Sequence, residues 1–324
     1  MPLRKTSDCD RAQYNYKTKA FDNNIESPAQ VRKLNADLQQ AYQESNLKHH
    51  RPIHPLLIAV DYEGGKVNRL KPEYGFPETY PAAAVGRMGQ MDADKAAHDM
   101  AVALQQSGFN LNFAPVMDVN INPDGFMAKS ERMFSNNPDN VAFYASLYSQ
   151  NFLSQGVQCA FKHFPGHGSA AGDSHLGFVD ISDTWQPLEL EPYSRLLNQE
   201  QSCGMVMTAH VVNRQLDASE LPATLSHKVL TGLLREQLHF KGVIITDDMQ
   251  MKAISAQYAL KDAVTLAINA GADMFIFGNQ LSEQPQDPKV VIDLIEGQVK
   301  AGKISKQRIN DAYQRITAMK ATMG

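Results

Sequence analysis

The chain has 324 residues, 43% of which are hydrophobic, and its formal net charge at pH 7 is -4. Positive and negative residues are mixed along the chain without a basic stripe, which argues against nucleic acid as a partner. No apolar run approaches the roughly 20 residues that cross a bilayer, which argues against a membrane protein.

Cysteine usage and the N-terminal sequence together predict a cytoplasmic location. The three cysteines, Cys9, Cys159 and Cys203, are odd in number and far apart, so we expect no disulfide framework. The stretch MPLRKTSDCDRAQYNYKTKAF is polar and lacks the apolar segment of a signal peptide. Export of a longer form stays open, as does the oligomeric state, for which a monomer is the default expectation.

Six short apolar runs, rich in Val, Ile, Phe or Met, predict strands that are buried on both faces. They lie at 56–60, 111–116, 157–161, 205–209, 243–246 and 274–277. Between them, amphipathic stretches predict helices. Ser27 can cap the first, which begins at Pro28, and Asp92 can cap the second, which ends near Gly108. Further helices are expected at about 139–155, 188–200, 226–238, 259–270, 289–301 and 305–323.

This alternation predicts an α/β domain with parallel strands and helical crossovers. A closed barrel needs eight strands, of which six are clear here. No G-x-G-x-x-G segment follows a strand, which disfavours a dinucleotide-binding fold. Because the sequence has no linker or repeat, we predict one domain over residues 27–324, preceded by a poorly specified segment, 1–26.

Nearly every apolar run is followed by polar or ionisable side chains. They are Asp61, Asp118, Lys162 with His163, His210, Asp247 with Asp248, and Asn279. In a parallel barrel the carboxyl ends of the strands share one face, where active sites are built. Each acid alone could equally well cap a helix. Six such clusters follow six predicted strands, and each charged group near a buried strand has a desolvation cost. Together they favour an active site at this end of the strands.

The glycine-rich segment KHFPGHGSAAGDSH, residues 162–175, is predicted to be a loop. Within it, Asp173 can reach the imidazole of His175, fix its tautomer and favour its protonated form. His175 would then be a competent proton donor and acceptor. A surface loop held by local hydrogen bonds is the alternative. A metal site at His163 and His167 is a weaker one, since their spacing requires a helix that the intervening Pro-Gly pair disfavours.

The strand in GVIITDDMQM, residues 242–251, delivers two consecutive acids, Asp247 and Asp248. Since successive strand side chains alternate, only one can point into a barrel mouth, and the sequence leaves open which. An ionised Asp and a His–Asp pair on one face suit glycoside cleavage, in which one group attacks the anomeric carbon and the other protonates the leaving oxygen. Charged groups for the sugar hydroxyls could come from Asp61, Arg69, Arg132, Lys162 and His163.

At these residues the chain closely resembles the β-N-acetylglucosaminidase (β-N-acetylhexosaminidase) branch of family 3 of the glycoside hydrolases. The motif KHFPGHG, followed after four residues by DSH, is characteristic of that branch. Four further segments match the family pattern: VDYEGGKVNRL, NFAPVMDVN, PATLS and GVIITDDMQM. The similarity runs from about residue 27 to residue 324.

The resemblance implies a (β/α)8-type TIM barrel without metal or cofactor, acting on terminal N-acetylglucosamine of peptidoglycan fragments or chitin oligosaccharides. By position, Asp247 would be the nucleophile and His175 the acid/base, with Asp173 orienting it. The sugar hydroxyls would be bound by Asp61, Arg69, Arg132, Lys162 and His163. Some relatives use phosphate in place of water, so phosphorolysis is an alternative to hydrolysis.

Two segments depart from the family pattern. AQYNYKTKAF is polar where the family has an apolar first strand, so that strand is expected to be altered or missing. A sugar-binding barrel without activity is therefore a further alternative. GFMAK precedes SERMF where the family has a P-x-I-G-like turn, which bears on the position of Arg132.

Overall fold

The computed structural model describes residues 13–15, 20–22, 24–279 and 285–323. Its strands are β1 Gln13–Asn15, β2 Ala20–Asp22, β3 Ala59–Val60, β4 Tyr62–Gly64, β5 Val67–Asn68, β6 Leu111–Asn112, β7 Gln158–Phe164, β8 Met205–Thr208, β9 Val243–Asp248 and β10 Met274–Ile276. Its α-helices are α1 Pro28–Lys48, α2 Ala82–Val85, α3 Gln90–Gln106, α4 Phe126–Lys129, α5 Pro138–Ser154, α6 Glu191–Leu196, α7 Lys252–Ser255, α8 Leu260–Ala270, α9 Pro288–Lys300 and α10 Lys306–Ala321. A π-helix, Lys228–Gln237, lies between β8 and β9.

The six predicted strands are confirmed as one parallel sheet with the order β10-β9-β8-β7-β6-β3. Helices cross over between successive strands, as expected for an α/β domain. Within the part of the chain that the structure describes, the sheet has two free edges, β3 and β10, so it forms a half-barrel and not the closed eight-stranded barrel expected. The two N-terminal strands that the structure describes, β1 and β2, pair antiparallel with each other and lie outside this sheet.

Most predicted helices are confirmed within a few residues, including α1, where Ser27 Oγ accepts a hydrogen bond from the Gln30 amide at 3.2 Å. The prediction that Asp92 caps the second helix is wrong, because Gly89 is the N-cap of α3 and Asp92 lies in its first turn. An acid there still interacts favourably with the helix dipole. The helix expected at 188–200 is shorter, since a 3₁₀ turn, Pro187–Leu190, precedes α6.

The inner face of the sheet is an apolar layer built from alternate residues of neighbouring strands. Its buried members are Leu111, Ala160, Met205, Met207, Val243 and Ile245, joined by Met319 from the end of α10. This layer fixes the curvature of the strands and therefore the positions of the polar groups at their carboxyl ends. No described helix is both long and apolar enough to cross a membrane.

The expectation of no disulfide is wrong, because Cys159 and Cys203 are bonded. Cys159 lies in β7 and Cys203 lies just before β8, the neighbouring parallel strand. Their Cα atoms are 4.8 Å apart although 44 positions separate them in sequence. Sequence spacing alone cannot reveal such a pair, since it depends on which strands are neighbours in the sheet. The cysteine argument for a reducing compartment therefore no longer applies.

Candidate active site

The carboxyl ends of the parallel strands converge on a cavity of about 580 Å³. It is lined by seven of the eight residues singled out from the sequence: Asp61, Arg69, Arg132, Lys162, His163, His175 and Asp247. The eighth, Asp173, lies behind His175 and contacts its ring. Residues of β3, β8 and β10 line the same cavity, so the curl of the sheet brings distant strands to one site. The roles suggested for these residues remain predictions.

Glu63, which sequence reasoning missed, holds two of the cations in this cavity. Its Oε1 lies 2.5 Å from Lys162 Nζ and 2.7 Å from Arg132 Nη2, and its Oε2 accepts from Arg132 Nε at 2.7 Å. Lys162 Nζ also donates to Asp61 Oδ1 at 2.9 Å. Burial alone would raise the pKa of Glu63, but the charges of Arg132 and Lys162 lower it well below its usual range. Glu63 is therefore ionised and fixes both cations.

Asp118 organises the strand end that carries the histidines. Its Oδ2 lies 2.7 Å from His163 Nδ1, and its Oδ1 accepts from the backbone amides of His163 and His167 at 3.2 and 2.8 Å. His163 Nε2 lies 3.3 Å from Arg132 Nη2. Burial lowers the pKa of His167 to about 4, so this ring is neutral. Within the described ranges, no group of three or more His, Cys, Asp or Glu side chains is arranged so that it could hold a metal ion.

The loop places Asp173 and His175 as the sequence predicts. Asp173 Oδ1 lies 2.7 Å from His175 Nδ1 and also accepts from the His175 amide at 2.9 Å. With Nδ1–H donating to the carboxylate, Nε2 is the ring nitrogen left for a substrate oxygen. Two contacts of Ser174 fix the loop: its Oγ lies 3.3 Å from His167 Nε2, and its carbonyl accepts from the Ala253 amide at 3.4 Å.

The two consecutive acids that end β9, Asp247 and Asp248, have different surroundings and opposite pKa shifts. Burial raises the pKa of Asp247, but the neighbouring imidazoles of His210 and His163 lower it below its ordinary value. The Asp247 carboxylate also accepts from the Asp248 amide at 2.8 Å. Asp248 closes a turn by accepting from the Gln250 amide at 2.9 Å, and burial raises its pKa. Asp247 is therefore the ionised acid that faces the histidines.

Glu189 is a fully buried carboxyl group beneath the loop that carries His175. Its Oε2 accepts from the Gly168 amide at 3.0 Å. Burial, with a further contribution from the charge of Asp118, raises its pKa to about 7. The folded protein therefore binds this proton more tightly than the unfolded chain does.

We expect Glu189→Gln to change how stability depends on pH. Because the folded pKa lies above the ordinary value of 4.5, the wild type should lose stability as pH rises from about 4.5 through 7, by about 3 kcal/mol in all. The variant, which mimics the protonated acid, should lack this loss and unfold at a higher temperature than wild type at pH 8. Thermal unfolding across pH measures it, with Glu191→Gln, at a side chain that is 47% exposed, as control. Parallel curves for the variant and wild type would contradict the prediction.

Comparison with known proteins identifies the family. Residues 17–319 match the model described as the glycosyl hydrolase family 3 N terminal domain. The β-hexosaminidase A of Pseudoalteromonas piscicida is 31% identical over an alignment of 326 residues. The alignment covers 94% of this chain and 52% of that protein. A β-hexosaminidase of Pseudomonas aeruginosa is 33% identical over 263 residues, covering 80% of this chain and 74% of the relative. The chain thus spans about half the length of the first of these relatives.

Solved structures agree with this result. A glycoside hydrolase family 3 β-N-acetylglucosaminidase from Paenibacillus sp. str. FPU-7 superposes with a TM-score of 0.81 at 34% identity, over 93% of this chain and 55% of that one. A β-N-acetylhexosaminidase from Beutenbergia cavernae gives a TM-score of 0.82 at 26% identity, over 98% and 97% of the two chains. The match over most of the chain shows that this protein belongs to glycoside hydrolase family 3.

Proposed function

We propose that this protein is a retaining exo-β-N-acetylglucosaminidase that releases terminal N-acetylglucosamine from peptidoglycan fragments or chitin oligosaccharides. One observation carries the proposal: an ionised Asp247 and a His175 held by Asp173 line a single cavity. The names of the β-hexosaminidase and β-N-acetylglucosaminidase relatives support the substrate class. Residues 27–324 would act as one glycoside hydrolase domain.

In the first step, the Asp247 carboxylate attacks the anomeric carbon while the bond to the leaving oxygen breaks. His175 donates its Nε2 proton to that oxygen, and a glycosyl ester forms on Asp247. In the second step, His175 takes a proton from water, whose oxygen attacks the anomeric carbon and releases Asp247. Asp173 stabilises the protonated imidazole and keeps Nε2 toward the sugar.

The remaining groups of the cavity would bind the sugar. Asp61 and Lys162, which contact each other at 2.9 Å, offer an acceptor and a donor at the cavity wall. His163 and Arg132 are held in place by Asp118 and Glu63, so they can meet hydroxyl groups without losing side-chain freedom on binding. Arg69 also lines the cavity.

Product analysis tests the proposal most directly. The protein is incubated with chitobiose, with a muropeptide that carries terminal N-acetylglucosamine, and with 4-nitrophenyl β-N-acetylglucosaminide, each with and without phosphate. We expect free N-acetylglucosamine, released first as the β-anomer in proton NMR spectra. N-acetylglucosamine 1-phosphate would indicate phosphorolysis, a reaction that a histidine acid/base tolerates better than a second carboxylate does. Release of the α-anomer first, or no turnover of any substrate, would overturn the proposal.

His175→Ala should affect substrates according to their leaving groups. A dinitrophenolate leaves without a proton, so kcat/KM for its glycoside, which reports the first step, should fall less than about tenfold, whereas kcat/KM for chitobiose should fall about 10²–10⁴-fold. Initial rates at substrate concentrations well below KM measure this difference. The control is His98→Ala, because His98 is exposed on α3. Equal losses on the two substrates would argue against an acid role for His175.

A further inference from the structure

His210 is a buried histidine at the end of β8 to which the mechanism above gives no role. Only 1% of its surface is exposed. Its Nε2 lies 3.0 Å from the carbonyl oxygen of Asp248, and its Nδ1 lies 2.7 Å from Thr224 Oγ1. Thr224 Oγ1 in turn lies 2.7 Å from Thr208 Oγ1. The ring therefore connects three segments: the end of β8, the PATLS turn and the end of β9.

These contacts fix the tautomer of the ring. A carbonyl oxygen only accepts hydrogen bonds, so Nε2 carries the hydrogen and donates to Asp248. Burial lowers the pKa of His210 and favours the neutral ring, in which Nδ1 is an acceptor for the Thr224 hydroxyl. The Ala209 carbonyl oxygen, 3.0 Å from Thr224 Oγ1, is a second acceptor for the same hydrogen. The Thr208 hydroxyl can then donate to Thr224 Oγ1. Every polar atom in this buried chain thereby has a partner, as a stable network requires.

Asp248, which accepts a hydrogen bond from His210, also donates one to the proposed nucleophile, Asp247. The carbonyl group of Asp248 accepts from His210 Nε2, and the amide of Asp248 donates to Asp247 Oδ1 at 2.8 Å. A shift of this residue would therefore move the carboxylate that must meet the anomeric carbon. Displacements of about 1 Å at a reacting group can cost about 10²-fold in rate.

We propose that His210, with Nε2 donating to Asp248 and Nδ1 in contact with Thr224, is a positioning residue that holds the end of β9 so that Asp247 is aligned for attack. The inference rests on the proposed function, in which Asp247 is the nucleophile. It assigns the PATLS turn a part in the site through Thr224. Of the two ring nitrogens, Nε2 does the positioning, because it contacts Asp248.

Three substitutions of His210 test which nitrogen matters. In His210→Gln the side-chain amide can reach the place of Nε2 and donate to Asp248, whereas in His210→Asn the shorter amide reproduces the Nδ1 side. His210→Phe keeps the ring without either nitrogen. On 4-nitrophenyl β-N-acetylglucosaminide, we expect His210→Phe and His210→Asn to lose about 10²-fold in kcat, with KM changed by less than about threefold. His210→Gln should recover about tenfold of that loss.

Thr224 supplies a second series with a matched control. Thr224→Val should lower kcat about tenfold, and Thr224→Ser, which restores the hydroxyl, should return it to the wild-type value. Thr231→Val removes a threonine hydroxyl that donates to the Ala270 carbonyl at 2.8 Å, away from the cavity. It should lower the melting temperature without changing kcat.

Wild-type kcat in folded His210→Phe, or a kcat for His210→Asn equal to that of His210→Gln, would overturn the proposal.

A spectroscopic measurement separates this proposal from the proposed function. In ¹⁵N-labelled wild-type protein, the ring nitrogens of His210, assigned by comparison with His210→Gln, should show a neutral imidazole with its hydrogen on Nε2 at pH 7. A ring protonated on Nδ1, or on both nitrogens, would overturn the inference even if the enzyme were active. Failure of wild-type protein to cleave any N-acetylglucosaminide would instead refute the proposed function, whatever the tautomer.

Discussion

Asp247→Asn is expected to lower turnover by about 10⁴-fold or more, because an amide oxygen cannot form the glycosyl ester on which the proposed mechanism depends. The substitution is nearly isosteric, and its oxygen can still accept from the Asp248 amide that lies 2.8 Å from Asp247 Oδ1. The fold should therefore survive, and KM should change little. Steady-state rates and thermal unfolding of the same preparation measure both outcomes.

The neighbouring acid provides the matched control. Asp248→Asn keeps an oxygen for the Gln250 amide, which Asp248 Oδ1 accepts at 2.9 Å, and should cost less than about tenfold in kcat. A second control uses Asp247→Ala, where the space left by the carboxylate can admit azide. The azide ion should displace the aglycone and give an α-glycosyl azide. Equal losses in Asp247→Asn and Asp248→Asn, or undiminished rates in the first, would refute the assignment of the nucleophile.

The parallel sheet could be predicted because its strands are continuous apolar runs that each end in polar residues. That pattern predicts Asp61, Lys162 and Asp247 at one edge of the sheet, and they line one cavity. The Asp173–His175 contact was also predictable, since it is local in sequence. The strand pattern alone could not choose between Asp247 and Asp248, which only the family resemblance distinguished, because the choice depends on which acid faces His163 in β7 and His210 just after β8.

Sequence reasoning missed Glu63 and named His210 only as a polar residue after a strand, because the contacts of both join distant segments. Glu63 binds Arg132 across 69 positions, and His210 contacts Asp248 across 38. Neither residue lies in a pattern that reveals its partner. The Cys159–Cys203 disulfide could not be predicted for the same reason. The prediction of a closed barrel was wrong because it came from the family resemblance. The polar stretch before α1 lacks the apolar residues that an inner strand requires.

At the opposite end of the sheet, three arginines surround the buried carboxylate of Asp273. Its side chain is fully buried, and it accepts from Arg235 at 2.6 Å, from Arg315 at 2.9 Å and from Arg308. It also accepts from the Ile244 amide at 3.0 Å, at the start of β9. Asp273 thereby joins the π-helix, α10 and two strands. Since this is the face away from the cavity, we expect it to serve stability and not catalysis.

Asp273→Ala should therefore destabilise the fold by about 3–5 kcal/mol, because three arginines would lose the carboxylate they share and remain partly buried without its compensating charge. Urea unfolding measures the change. Asp293→Ala is the control: Asp293 pairs with Lys289 at 2.6 Å on the exposed face of α9, where solvent screening leaves such a pair little effect on stability. Below the unfolding transition, the Asp273→Ala enzyme should keep kcat close to wild type, since the groups at the cavity are untouched. Equal stability of the two alanine variants would show that the buried cluster contributes no more than a surface pair.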